Sequence, residues 1–180
     1  MKTFAAVSVL GKNKPGIVAA VTKVLYETGC NIEDSSMTML ANEFAMILMV
    51  ALPGKLTLKQ LSAKFSPLLK LDLTVSLKAL KQSEETKPCL KGSPHIISVY
   101  GADKPGIVYM VSKYLADNKV NITDVQTSIS SVGGKNTYIM FLEIDLPEKA
   151  SIEKLRIELL KVAESLGVSV SVNPVDSPSL

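Results

Sequence analysis

The chain has little of what catalysis requires. Its 180 residues include one histidine, His95, and two cysteines, Cys30 and Cys89. His95 opens a strand-like run with no serine or cysteine motif beside it, so a nucleophile elbow or thiol site is missing and the residue reads as a surface histidine. The cysteines have no CxxC spacing and build no disulfide framework, which suits a reducing, cytoplasmic setting. Glu33-Asp34 is the adjacent carboxylate pair beside the chain's main motif. Strand neighbours point to opposite faces, so the pair offers neither an acid with its base nor converging oxygens for a hard cation. Walker A and dinucleotide fingerprints are absent. The expectation is a non-enzymatic protein without cofactor or metal.

Charge and hydropathy exclude further classes. The net charge is only +3, and the lysines are scattered apart from a loose cluster between Lys78 and Lys91. That is too thin for a nucleic-acid footprint, and no helix-turn-helix accompanies it. No apolar stretch approaches a membrane span. Met1-Lys2 followed by Thr3 to Gly11 mimics a short signal segment. The equivalent run His95 to Gly101 (HIISVYG) lies deep inside the chain, however, so both read as strands.

What is present is apolar material for two small cores, at 47% hydrophobic and 21% charged residues, and an internal repeat. Gly11-Lys12-Asn13-Lys14-Pro15-Gly16-Ile17-Val18 returns as Gly101-Ala102-Asp103-Lys104-Pro105-Gly106-Ile107-Val108, about 90 residues on. Each copy follows a strand-like run, Phe4 to Leu10 or Ile96 to Tyr100. Each opens a helix-like one, with Ile17, Val18, Val21, Val24 and Leu25 on one face in the first copy and Ile107, Val108, Val111, Tyr114 and Leu115 in the second. Proline suits the first helical position, which assigns Pro15 and Pro105 there. Two strands follow in each half, Asn31 to Ala41 with Phe44 to Leu52, and Asn121 to Val132 with Thr137 to Leu146 around Gly133-Gly134. Thr57 with Gln60, and Ser151, then start second helices. Pro67 ends or kinks the first of these, and Gly167 stops the second. Leu71 to Leu77 and Val168 to Val172 are the closing strands.

Each half is strand, helix, strand, strand, helix, strand. Four strands and two helices bury the helices only when both lie on one side of the sheet. The fold class is therefore α+β, with two tandem ferredoxin-like βαββαβ domains, antiparallel sheets and helices on one face. The boundaries are 1–80 for the first domain, 81–93 for a polar linker, 94–173 for the second domain and 174–180 for a loose tail. Met37, Met39, Met46, Met49 and Met140 read as core filling. RNA-recognition modules share this element order, but the strands offer few stacking aromatics, with Tyr100, Phe44, Tyr138 and Phe141 the candidates.

Binding chemistry concentrates on the repeated phrase. A free amino acid brings a carboxylate, which suits unpaired N–H groups and the positive dipole end at a helix start. Its ammonium needs acceptors, which Asn13 or Asp103 could supply, or these residues could cap the helix. Asn31 and Asn121 could reach the same mouth from the end of the helix. Gly16 and Gly106 lack a Cβ, so a ligand can approach their backbone. The candidate ligand residues are Gly11, Asn13, Lys14, Pro15, Gly16, Ile17, Asn31 and Ile32, with Gly101, Asp103, Lys104, Pro105, Gly106, Ile107, Asn121 and Ile122 in the second copy.

Gly-x-(Asn/Asp)-Lys-Pro-Gly-Ile-Val between strand and helix, followed by Asn-Ile, resembles the ACT domain, a regulatory module that binds amino acids. Gly29-Cys30-Asn31-Ile32-Glu33-Asp34-Ser35, with Met39-Leu40 and Glu43-Phe44, carries the likeness further. Two copies with no attached enzyme resemble the glycine cleavage system transcriptional repressor family. The resemblance implies a small, glycine-like amino acid held where the loop of one ACT domain meets a neighbouring one. It also implies a homo-oligomer and a protein partner, a DNA-bound activator, whose repression glycine relieves. Asn13 stands where an acid is usual, and the second copy keeps a full Asp103-Lys104-Pro105-Gly106, which points to unequal sites and an effector of its own. The alternative is an ACT scaffold that dimerises without sensing a ligand.

Overall fold

The computed structural model describes residues 3–80, 92–132 and 135–175. The chain divides into two compact units, Met1–Lys87 and Pro88–Leu180. The first holds β1 (Thr3–Lys12), α1 (Ile17–Glu27), β2 (Asn31–Leu40), β3 (Glu43–Leu52), α2 (Leu58–Lys64), a 3-10 turn (Ser66–Leu71) and β4 (Leu73–Leu80). The second holds β5 (Gly92–Ala102), α3 (Ile107–Asp117), β6 (Asn121–Val132), β7 (Lys135–Pro147), α4 (Ile152–Leu166) and β8 (Val168–Pro174). Each unit is one antiparallel four-stranded sheet, in the order β2-β3-β1-β4 and β6-β7-β5-β8.

Period-two alternation explains where each core lies. Ala5, Val7 and Val9 of β1 and Phe44, Met46, Leu48 and Val50 of β3 point to one face. There they meet Ile17, Val21 and Leu25 of α1 and Leu61 of α2 in a single cluster, so both helices lie on the same side. Ile97, Val99, Met140, Leu142 and Ile144 meet Ile107, Val111, Leu115, Leu155 and Leu159 in the same way. A fully buried leucine or isoleucine of this kind stabilises by about 1.5–3 kcal/mol. Among the described residues no helix is long and apolar enough to cross a membrane.

Several expectations are corrected. The methionines divide: Met46 and Met140 are core, whereas Met37 and Met39 of the edge strand β2 are 53% and 58% exposed. Every residue of β2 is exposed, so the helices do not close over either face of that edge strand. His95 is buried rather than on the surface, with Nδ1 3.0 Å from the Ser93 carbonyl, because β5 lies between β7 and β8. Gly92 and Ser93, read as linker, pair with Pro147 and Leu146 inside β5, and Pro174, read as tail, pairs with His95. Leu71 belongs to the 3-10 turn, and β4 starts at Leu73. The rest of the linker, Cys89, the Gly133-Gly134 turn and residues 176–180 lie outside the described residues.

Candidate functional site

The repeated phrase forms a turn at one end of each sheet, called its mouth below. In the first, the Asn13 amide donates to the Asn42 carbonyl at 2.8 Å, tying the end of β1 to the β2–β3 turn. Lys14 to Ile17 then make a β-turn, with Ile17 N 3.4 Å from Lys14 O and Gly16 at φ 93°, ψ −6°. Proline followed by a glycine at positive φ is the type II pattern, so Pro15 presets the turn rather than the helix. Helix α1 starts at Ile17, two residues later than the assignment of Pro15 to its first position supposed. Gly16 is its N-cap, and its carbonyl accepts from Ala20 N at 2.9 Å. Gly106 repeats this at φ 98°, ψ −9°, and its carbonyl accepts from Met110 N at 2.9 Å.

The four helices differ in how they begin. Thr57 and Gln60 close a full capping box on α2, and Ser151 Oγ accepts the Lys154 amide of α4 at 3.3 Å. No side chain caps α1 or α3. The acceptors that stood in reserve are committed elsewhere or stand off. Asn13 Nδ2 points at Met39 Sδ, 2.9 Å away, and Asp103 lies exposed beside Tyr138. First-turn N–H groups have no intrahelical acceptor, so Val18 and Ala19, or Val108 and Tyr109, present theirs at an uncapped end. A Cβ built on Gly16 or Gly106 meets nothing within 4 Å. Burial, with the Asp103 charge second, raises the pKa of the Tyr138 phenol from its ordinary value.

Other candidates take structural parts. A Cβ on Gly11 would lie 2.5 Å from the Asp72 carbonyl oxygen, and one on Gly101 would lie 2.6 Å from Val168 Cγ1, so both glycines let the neighbouring strand approach. Ile17 and Ile107 bury their side chains in the cores and leave only backbone at the mouth. Lys14 reaches Asp72 at 3.6 Å, and Lys104 donates to the Leu166 carbonyl at 3.2 Å, which ties each phrase to the turn before the last strand. The register could have signalled these neighbours, since Gly11 faces Leu73 and Phe44, and Gly101 faces Val168 and Tyr138.

Asn31, Ile32, Asn121 and Ile122 do not join the mouth of their own domain, contrary to the expected reach. Asn31 pairs with Ala51, which pairs with Phe4, seven residues up β1 from Gly11. Asn121 is likewise in register with Pro94, through Asp145, seven residues from Gly101. Seven strand residues span about 23 Å. The alternation argument also fails at Glu33-Asp34, because the register shifts between Ile32 and Asp34, as it does between Ile122 and Asp124. Glu33 accepts from Asn31 Nδ2 at 3.0 Å, and Asp34 accepts from the Ser35 amide at 2.7 Å. Among the described residues no three His, Cys, Asp or Glu side chains gather in a way that could hold a metal. A 660 Å³ groove in the second unit, lined by Asn118, Lys119, Ser151 and Lys154, lies at the far end of α3 from Gly106.

Comparison with known families matches the ACT domain twice, over residues 3–78 and 93–173. The chain belongs to the ACT domain family. The fold is thus two tandem ACT domains. The glycine cleavage system transcriptional repressor of Escherichia coli is 24% identical over 175 residues, covering 96% of this chain and 90% of that one. A UPF0237 protein of Methanopyrus kandleri is 39% identical over 82 residues, which is 45% of this chain and 87% of that protein. Among solved structures, a protein of unknown function from Galdieria sulphuraria has a TM-score of 0.80 and 26% identity, covering 97% of this chain and 99% of that one. The tandem layout therefore extends across whole relatives, while a single ACT unit accounts for most of the archaeal one.

Proposed function

We propose that this chain is a non-enzymatic regulator that binds a small amino acid at the mouths formed by its repeated phrase and passes the signal to a protein partner. One observation carries the reading: of the four α-helices among the described residues, the two that follow the phrase lack a side-chain cap, and each starts at a glycine with open space beside it. The exposed N–H groups and positive dipole end suit the ligand carboxylate. Asp103 supplies an acceptor for an ammonium group at the second mouth. Asn13, neutral and turned toward Met39, makes the first one weaker.

Asn31 and Asn121 are too far from the mouth of their own domain, so they complete a site only from a neighbouring ACT domain. With that neighbour taken from a second copy of the chain, a homo-oligomer is part of the proposed mechanism. Glycine has five heavy atoms, and at a ceiling of about 1.5 kcal/mol per atom its affinity is roughly micromolar at best, suited to following a metabolite pool. A coupling of about 1–3 kcal/mol then suffices to switch a partner. Similarity to the Escherichia coli repressor supports a partner in transcription control, a DNA-bound activator, contacted without a DNA reader in this chain. The test is calorimetry of the full chain against the twenty amino acids. A selective hit, weakened by Gly106→Val or Asp103→Ala, is expected, and no response at millimolar concentration defeats the sensor reading.

A second reading, dimerisation without ligand, is favoured by the edge strand β2, whose ten residues are all exposed and whose outer edge has no neighbouring strand among the described residues. It predicts stable oligomers that are indifferent to every amino acid.

A further inference from the structure

We propose that the first ACT domain stacks sheet on sheet against the same domain of a second copy of this chain, through the face that the helices leave bare. The two-fold axis runs between β1 and β3, parallel to both strands. Ala5, Val7 and Val9 face the helices, so the residues between them face away. On that bare face the ladder pairs Phe4 with Ala51, Ala6 with Met49, Ser8 with Ile47 and Leu10 with Ala45. Each of these pairs joins a large side chain to a small one. The next pair along, Lys12 with Glu43, joins a cation to an acid. Leu10 is 54% exposed and Ile47 49%, beside a 450 Å³ groove whose lining includes Ser8 and Ala45.

A two-fold axis along the strands keeps each row of residues at its own height. It exchanges β1 with β3 and β2 with β4, because the sheet order is β2-β3-β1-β4. Leu10 of each copy then lies over Ala45 of the other, Ile47 over Ser8, and Met49 over Ala6. In the flanking strands Asp34 shares a row with Lys78, Ser36 with Ser76 and Thr38 with Thr74. The same axis sets Asp34 over Lys78, Lys12 over Glu43, and hydroxyl over hydroxyl in the other two rows, where each group both donates and accepts. All four of these charges meet their opposites.

Other pairings do not fit in this way. An axis across the strands, through the row of Ser8 and Ile47, sets Ile47 over Ile47, Ser8 over Ser8 and Lys12 over Phe4. The equivalent face of the second domain pairs Ile96 with Glu143 and Tyr100 with Ile139. Stacked on itself, that face lays an aliphatic side chain over a carboxylate and sets two large side chains against each other. The first domain is therefore the one that self-associates.

The face is large enough. Four strands at about 4.8 Å spacing and nine residues at about 3.4 Å cover about 19 by 30 Å. Both copies together bury about 1,100 Å², above the floor of about 1,000 Å² for a specific interface. Stacked sheets keep their strand directions within about 30°. The middle rows therefore hold register, and the long charged side chains span the drift at the ends. The contact uses no residue of either mouth, so it does not rest on the ligand reading.

The test is sedimentation equilibrium of the full chain, which is expected to self-associate. Asp34→Lys turns both Asp34–Lys78 pairs of the contact into repulsions and should weaken association about tenfold. Adding Lys78→Asp should restore it. Asp124→Lys, at the equivalent position of the second domain, should leave it unchanged. Ala45→Leu sets leucine against Leu10 and should weaken association about tenfold or more, and adding Leu10→Ala should recover it. A monomeric parent chain, equal weakening by Asp34→Lys and Asp124→Lys, or failure of either reciprocal exchange to restore association overturns the proposal.

Discussion

Alanine at Gly106 and at Gly101 separates two demands that one repeated phrase places on glycine. At Gly106, φ is 98° and a Cβ meets nothing within 4 Å. The cost is therefore backbone conformation alone, about 1–2 kcal/mol for an L-residue on the left-handed side. For a domain of this size each kcal/mol moves the melting temperature by about 4–8 °C, so the second domain should lose roughly 4–16 °C. Gly106→Asn should recover part of that, because asparagine tolerates positive φ. At Gly101 the backbone is extended, and the added Cβ would lie 2.6 Å from Val168 Cγ1 and 3.0 Å from Val168 Cα. Strands β5 and β8 must part, at about 1–3 kcal/mol of overpacking. Val168→Ala removes the Cγ1 contact but keeps Cβ, 2.9 Å away, so it should relieve Gly101→Ala in part and do nothing for Gly106→Ala. The assay is thermal and urea unfolding of the full chain, read by circular dichroism, for each single and double variant. Neutrality of Gly106→Ala within about 0.3 kcal/mol, or equal relief of both variants by Val168→Ala, refutes the division of roles.

Three further outcomes follow from the same geometry. Thr57→Ala removes the capping box of α2 and should cost the first domain about 1 kcal/mol, measured by urea unfolding. The Lys14–Asp72 pair is 3.6 Å apart with both side chains more than half exposed, so a double-mutant cycle with Lys14→Met and Asp72→Asn should give a coupling of less than about 1 kcal/mol. Burial first, and the Asp103 charge second, raise the Tyr138 phenol. Above about pH 10 the unfolded chain gives up this proton while the folded chain keeps it. The folded chain then binds more protons, and stability falls as pH rises from there. Unfolding across that range should show less of this loss in Tyr138→Phe, and Asp103→Asn should lower the tyrosinate midpoint seen by ultraviolet absorbance.

The element order was legible because periodicity and punctuation agreed. Ile17, Val21 and Leu25 mark one helix face, Thr57 and Ser151 announce starts, and Gly167 announces a stop. Pro15 was less legible, since proline followed by glycine fits a first helical turn and a type II turn equally well, and only the positive φ of Gly16 decides between them. The edge strand misled for a different reason. Met37 and Met39 have the hydrophobicity of core residues, but the width of a two-helix layer is a tertiary property that no local pattern encodes. The turn that carries the proposed site was legible in part. Sequence spacing brought out Asn13, Lys14, Pro15 and Gly16, whereas the distance to Asn31 depends on the strand register, and a bulge at Glu33 breaks the alternation on which the carboxylate argument relied.

The most direct measurement is an amide-resolved NMR titration of the full chain with the amino acid that responds in calorimetry. A ligand carboxylate at the uncapped end of α3 should shift the amides of Gly106, Ile107, Val108 and Tyr109 most, with Asn121 following as the neighbouring domain closes the mouth. The corresponding amides from Gly16 to Ala19 should respond at higher concentration. Shifts centred instead on Lys119 and Ser151, or no shift at either phrase, contradict the assignment of these turns as the sensing site.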